Sequence, residues 1–252
     1  MSMSATLESE KLSRSAAGRA CPLDFSVAET LDEVMEAWAL VYDAYRQLNL
    51  VDPNPWGIHC TPHALTNDTA IIRGDLHGRC VTTMTGYLDH PVHGLPLDSV
   101  YPDELARLRD SGGRLIEIGL FADRRGELKR TRATLLELMR WGTYFGLNHG
   151  AKRAVIGVHP HHAKFYSKCL GFEIIGEETS YGIVNGAPVV PMYLDWEARA
   201  ADINAPRGVK QFTEQVLSVE VFTQRKNWRN SALTNWAPEQ LLAEEFGVTL
   251  AA

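Results

Sequence analysis

HPHHAKFYSKCLGFEIIGEETSYGIVNGAPVVPMYLDW, residues 159–196, is the most informative segment of the chain. His159 closes a strand, the segment through Phe165-Tyr166 is a short helix, and Leu170-Gly171-Phe172 stops it. Two strands follow, separated by Asn185-Gly186, a pair suited to a tight hairpin turn because both positions tolerate positive φ.

Working outward, the order along the chain is strand, helix, hairpin, strand, helix, strand, helix, hairpin, which describes a mixed α/β sheet flanked by helices. Asp24–Ala28 reads as a short strand. Thr30 caps a helix whose first turn takes Asp32 and Glu33, and Leu31, Val34, Trp38, Val41, Tyr45 and Leu48 recur along one face. Val51–Thr66, with three prolines and a glycine, is a loop with room for one helical turn. Thr69–Arg73 and Arg79–Leu88 form a hairpin turning at Asp75–Gly78. An extended loop, Asp89–Asp98, then leads to a short helix through Asp103–Arg109.

Arg114–Ala122 reads as the central strand, with Ile116, Ile118 and Leu120 on one face and Leu115, Glu117, Gly119 and Phe121 on the other. A carboxylate within so apolar a strand is the most anomalous local choice in the chain. A basic turn, a long helix through about Arg130–Leu147 that stops at Asn148-His149-Gly150, and a buried strand at Lys152–Val158 complete this half. After Trp196 a polar linker, Arg199–Gly208, precedes an appendage with two expected helices. Phe212, Val216 and Val219 recur at helical spacing in it, and Pro238 suits the first turn of Glu239–Phe246.

The 252 residues, 45% hydrophobic, suffice for one sizeable core with an appendage. A balance of 25 basic against 31 acidic residues, net −6, gives no general attraction to nucleic acid or to an anionic membrane. No apolar run reaches the roughly 18 residues of a membrane-spanning helix. The first twenty residues lack the apolar segment of a secretory signal and read as a flexible tail. Cys21, Cys60, Cys80 and Cys169 show no paired spacing, so reduced thiols are expected, with Cys80 and Cys169 in the core and the cytoplasm as the compartment.

The A-x-x-F-Y-x-K…GF junction at Ala163–Phe172 resembles the C-terminal half of the GCN5-related N-acetyltransferase (GNAT) fold. The longer string is more specific: His159-Pro160, His162 and Phe165-Tyr166 before Leu170-Gly171-Phe172, then Val184-Asn185-Gly186-Ala187-Pro188. It resembles the N-acyl amino acid synthase (FeeM-like) branch of that superfamily. Upstream, Asp89, Gly94-Leu95-Pro96-Leu97-Asp98, Leu108-Arg109 and Leu115-Ile116-Glu117-Ile118 are similar to the same branch in order and spacing. A more distant similarity is to acyl-homoserine-lactone synthases, whose central strand carries E-L-S-R-F. Here the strand reads Glu117-Ile118-Gly119-Leu120-Phe121, and loss of the Ser-Arg pair argues against homoserine-lactone synthesis. The resemblance covers about Phe25 to Trp196. It implies a GNAT-like domain over 23–196, between a tail at 1–22 and a linker with helical appendage at 197–252.

The implied chemistry is transfer of an acyl group from a thioester to an amine, and it gives roles to particular residues. Glu117 would accept the proton of an amine that is mostly protonated at neutral pH; the plainer reading is a buried carboxylate paired with Arg114 or Arg153. Tyr166 would hydrogen-bond the departing sulfur and protonate the thiolate, the plainer reading being a core aromatic beside Phe165. Arg124, Arg125, Gly126, Lys129 and Arg130, in the turn where GNAT enzymes hold coenzyme A, would bind donor phosphate. That turn lacks the family's second glycine and is rich in cations, which suits a single phosphopantetheine phosphate and the acidic surface of an acyl carrier protein. Phe121, His159 and His162 would line the substrate site. His159, His161 and His162, like His59, Cys60 and His63, join no carboxylate or thiolate set with zinc spacing, so no metal is expected, and Cys169 has no base beside it in sequence.

The resulting expectation is an N-acyltransferase with no tightly bound cofactor. It takes a long-chain fatty acyl group from an acyl carrier protein, or from acyl-CoA, to the α-amine of a small-molecule amino acid. Its rivals are a CoA-dependent acetyltransferase of a small amine and a catalytically silent acyl-binding or carrier-binding regulator.

Overall fold

The computed structural model describes residues 23–124, 126–128, 132–202, 205–206 and 217–223. The expected tail lies outside these residues, as do Arg125, Lys129, Arg130 and nearly all of the expected C-terminal helices.

β1 (Asp24–Val27) leads to α1 (Leu31–Gln47), which opens on a capping box. The Glu33 N–H donates to Thr30 Oγ1 at 3.3 Å and the Thr30 N–H to Glu33 Oε2 at 3.1 Å, so two donors at the helix start find partners. β2 (Thr69–Leu76) and β3 (Arg79–Leu88) form the first hairpin. Its turn is tighter than the sequence suggests, only His77-Gly78, because β2 runs on to pair Leu76 with Arg79. α2 (Pro102–Asp110), β4 (Arg114–Asp123), α3 (Arg132–Asn148), β5 (Ala151–Val158) and α4 (Pro160–Leu170) follow. Then come β6 (Glu173–Ile174), β7 (Thr179–Tyr181) and β8 (Ala187–Asp195), with Asn185 and Gly186 both at positive φ in the turn between β7 and β8.

The sheet runs β1-β2-β3-β4-β5-β8-β6, with β7 also on β8. Among the described strands only β4 and β5 pair in parallel. α1 packs on one face with Leu115, Leu120, Val155 and Val189. α3 and α4 cover the other with Ile116, Ile118, Ala154 and Ile156.

Several local expectations are corrected. β4 does not alternate evenly to its end. A bulge between Gly119 and Ala122, opposite Met84, places Leu120 at φ +48, and the extra residue reverses the facing of the strand beyond it. Leu120 joins the α1-side core and Phe121 packs on the α3 side, the opposite of strict alternation. The expected linker begins as helix: α5 (Trp196–Ala201) is capped by Asp195, whose Oδ1 accepts from the Ala198 N–H at 3.0 Å. Cys60 is buried along with Cys80, whereas Cys169 is half-buried. In the 217–223 segment, which ends in α6 (Glu220–Thr223), Val219 is exposed and Phe222 is the buried anchor. The Phe222 ring lies 5.9 Å from Trp141 and 5.8 Å from Phe145.

α3 lies close against the sheet because it presents glycine there. A Cβ on Gly146 would stand 2.8 Å from Ile116 Cγ2, and one on Gly142 3.0 Å from Ile118 Cδ1. Gly146→Val is expected to destabilise the domain in urea unfolding by about 1–3 kcal/mol, the usual cost of overpacking. The few tenths by which valine exceeds glycine in helix propensity do not offset that loss.

Candidate active site

The parallel ladder between β4 and β5 covers Arg114–Glu117 against Ala151–Val155. Past that point β4 stays with β3 through Asp123, and β5 stays with β8 through Val158. The two central strands therefore part at Glu117, and a cavity of about 830 Å³ opens between them. Its lining is mostly apolar, drawn from α1, β4, α3, α4 and the β7–β8 turn, and it includes Glu117, Phe121, Arg132, His159, His162 and Tyr166.

Glu117 is 4% exposed. Neither arginine named as its partner reaches it: Arg114 pairs with Asp68, and Arg153 with Asp195 at 3.0 Å. Its recorded hydrogen bond comes from the Leu97 N–H, which donates to Oε2 at 2.9 Å. Burial pushes the carboxyl pKa up to about 8; the Leu97 N–H pulls it down, and the Asp98 charge adds a smaller upward push.

The Leu97 N–H is held in place by the motif the sequence singled out. Arg109 forks onto two carboxylates, with Nε 2.7 Å from Asp89 Oδ2 and Nη1 2.7 Å from Asp98 Oδ1. Asp98 Oδ2 in turn accepts from the Leu95 N–H at 2.7 Å. Gly94 (φ +61) makes room for that carboxylate, since a Cβ there would stand 2.5 Å from Asp98 Oδ2. The Leu97 side chain fills the space over Gly157 of β5, where a Cβ would come within 2.7 Å of it. This pins the loop across the point where the strands part.

Tyr166 projects from α4 into the cavity, its ring edge-on to Phe165 and Phe172 at 5.4 and 6.1 Å. Burial raises its hydroxyl pKa to about 12, so it remains a proton donor at neutral pH. The helix ends one residue later than the commonest GNAT spacing, on Gly171 at φ 75, with the Phe172 N–H returning to the Tyr166 carbonyl at 3.3 Å. His159 caps α4, its Nδ1 accepting from the His161 N–H at 3.2 Å. Its ring meets that of His162 edge-on at 6.2 Å. Both histidines are exposed and lie on the cavity's wall.

The basic turn divides. Arg124 Nε donates to the Cys80 carbonyl at 3.0 Å and so ties the turn to β3. Gly126 is exposed at φ 103. Arg125, Lys129 and Arg130 lie outside the described residues. Arg132 does line the cavity, with its guanidinium carbon 5.9 Å from the centre of the Phe165 ring. Among the described residues, no group of three or more His, Cys, Asp or Glu could hold a metal ion. His59 is half-buried, and desolvation pushes its pKa down to about 4, so it stays neutral at physiological pH. No described helix is long and apolar enough to cross a membrane.

Sequence reasoning missed the hydroxyl-bearing residues Thr61, Tyr87, Tyr45, Tyr181 and Thr134 on the cavity wall. Tyr87 stands directly opposite Glu117 in the β3–β4 register, but a tyrosine in a strand reads as ordinary β-former, and pairing across strands leaves no local signal.

A mixed sheet whose parallel central strands part over a cavity is the GNAT type of fold. A family model described as N-acyl amino acid synthase FeeM matches residues 36–195, and the chain belongs to that family. Among solved structures it is similar to FeeM, an N-acyl amino acid synthase from uncultured soil microbes. The identity there is 23%, over 77% of this chain and 99% of that one, with a TM-score of 0.60. The acyl-homoserine-lactone synthase LasI is 14% identical over 78% of this chain and 96% of its own, TM-score 0.54. The CoA-dependent synthase BjaI is 16% identical over 75% and 84%, TM-score 0.52. These likenesses bear on the fold. No curated protein sequence matches the chain.

The raised pKa of Glu117 sets a sign for stability. The folded carboxyl binds its proton more tightly than the unfolded one, whose pKa is near 4.5. Stability is therefore lost as pH rises from the unfolded value through about 8, and the full cost of burying the charge applies above that. Glu117→Gln keeps an acceptor for the Leu97 N–H and carries no charge. Its stability relative to wild type in urea unfolding should rise between about pH 5 and about pH 9, by up to several kcal/mol.

Proposed function

We propose that this N-acyltransferase moves a long-chain fatty acyl group from the phosphopantetheine thioester of an acyl carrier protein to the α-amine of an amino acid, giving an N-acyl amino acid. The observation that carries the reading is the large apolar cavity with the buried carboxyl of Glu117 where the central strands part. An ammonium loses one proton to become a nucleophile and a second as the amide forms, while the departing thiolate takes one back. One proton therefore leaves per turnover. Glu117 accepts the proton of the attacking amine, and a pKa near 8 makes it a stronger base than an ordinary glutamate. Tyr166 donates to the leaving sulfur. Backbone N–H groups along the separated edges of β4 and β5 face the thioester oxygen as it becomes an oxyanion.

On the donor side, Arg124, Arg125, Gly126, Lys129 and Arg130 take the phosphopantetheine phosphate and meet the acidic surface of the carrier. Phe121, His159 and His162 wall the substrate site. The carrier is favoured over coenzyme A by the turn's composition, cation-rich and short of the second glycine that a pyrophosphate cradle uses.

Lipids extracted from a bacterium overexpressing the chain should contain a new N-acyl amino acid, identified by mass. In vitro, added salt should slow the rate with acyl carrier protein by screening its encounter with the basic turn, and Tyr166→Phe should lower kcat by about 10²-fold through loss of the general acid. Turnover confined to short acyl-CoA, with no N-acyl amino acid in the extract, would instead favour the small-amine acetyltransferase.

A further inference from the structure

Beside Glu117 the cavity wall carries two buried hydroxyls that the acyl-transfer scheme has not used. Tyr87 is the direct cross-strand partner of Glu117, so the two side chains leave the sheet on the same face, toward α1. Gly119, two residues on, keeps the space between them open: a Cβ there would lie 3.8 Å from Glu117 Oε1 and 3.9 Å from the Tyr87 ring edge. Thr61, just before the 3-10 turn Pro62–Leu65, brings its hydroxyl beside that of Tyr87. Tyr87 and Thr61 are each 2% exposed, and both line the cavity. Neither Tyr87 Oη nor Thr61 Oγ1 makes a hydrogen bond of normal geometry among the described residues. Burying hydroxyls in that condition is costly unless a bound molecule completes them.

We propose that Tyr87 Oη, Thr61 Oγ1 and Glu117 Oε1 together form the binding site for the acceptor's primary amine. Glu117 Oε2 is occupied by the Leu97 N–H, which leaves Oε1 for a ligand. The three oxygens accept the three N–H groups of the ammonium form; transfer of one proton to Glu117 Oε1 frees the lone pair for attack, and the two N–H groups that remain stay on the hydroxyls. The surroundings favour a donor-rich group over an anion. Tyr45 and Tyr181 close the same wall, and burial is the largest influence on the pKa values of Glu117, Tyr87 and Tyr181, raising all three. Chemically the site selects a primary amine over an N-alkylated one, because an added methyl removes one N–H and meets the hydroxyl pair. The inference rests on the amino acid acylation proposed above and names the side chains that hold the acceptor.

The test uses the full chain with a fatty acyl thioester, the twenty amino acids, their N-methyl counterparts, and ethanolamine, putrescine and phenethylamine as further primary amines. Tyr87→Phe and Thr61→Val are each expected to raise KM for the accepted amine by about 5- to 100-fold, the usual loss for a hydrogen bond to a buried polar group, with KM for the donor held within about twofold. Thr61→Ser, which keeps the hydroxyl, should restore the value, and the preference for the primary over the N-methyl amine should shrink in both deletions. An unchanged amine KM, an equal shift in donor KM, or an undiminished primary-amine preference in the folded variants would overturn the assignment. If wild type ignores amino acids but acylates another amine of the panel, the amino acid reading fails, and the same comparison with that amine decides the site. Turnover of no primary amine would overturn both.

Discussion

The hydrogen bond from the Leu97 N–H to Glu117, 2.9 Å long, is the contact on which the arrangement of the site depends. A carboxyl buried in a sheet interior needs a polar partner, and neither Arg114 nor Arg153 on the central strands reaches this one. The partner comes instead from the loop before α2. Its position is set by the Arg109 fork on Asp89 and Asp98, by the space at Gly94 and by the seat of Leu97 over Gly157. One loop thus stabilises a buried acid and braces the opening beside it. The bond pulls the pKa of Glu117 down while burial pushes it up, and burial prevails.

That balance suits acyl transfer to an amine. A carboxylate with an ordinary pKa is a weak base toward an ammonium group, and one in a fully apolar site would hold its proton permanently. At about 8, Glu117 lies between these limits. Tyr166, raised to about 12, keeps its proton at neutral pH. Both groups owe their shifts chiefly to burial, and the apolar lining that buries them is the same surface an acyl chain would occupy.

Much of this was legible in the sequence. The α1 face from Leu31 to Tyr45, the capping residue Thr30, the Gly171 stop and the Asn185-Gly186 turn are local signals, and the structure has each of them, although Leu48, read as the last residue of that face, lies past the helix end and is exposed. Glu117 stood out because charge in an apolar strand has no local explanation. Its partner was misplaced for the same reason: arginines near in sequence, or on the next strand, are the visible options, whereas the Leu97 N–H comes from 20 residues away and carries no side-chain signature. The bulge at Leu120 was hidden because leucine is a poor choice for positive φ, so the alternation misassigned both Leu120 and Phe121. Tyr87 and Thr61 were invisible as site residues because only the β3–β4 register and the 3-10 turn after Thr61 bring them to the carboxyl. Arg125, Lys129 and Arg130 keep only their sequence argument, being outside the described residues.

Whether Glu117 takes the proton of the attacking amine is decided by kcat against pH for wild type and Glu117→Gln, with one acyl thioester and one amino acid. Wild-type kcat should climb toward a plateau through about pH 8 as the carboxyl ionises. The Gln variant should fall by roughly 10²–10⁴-fold at neutral pH, the usual worth of a general base, with the gap narrowing as free amine accumulates at high pH. A Gln variant with near-normal kcat at neutral pH would contradict the claim and leave Glu117 a structural acid.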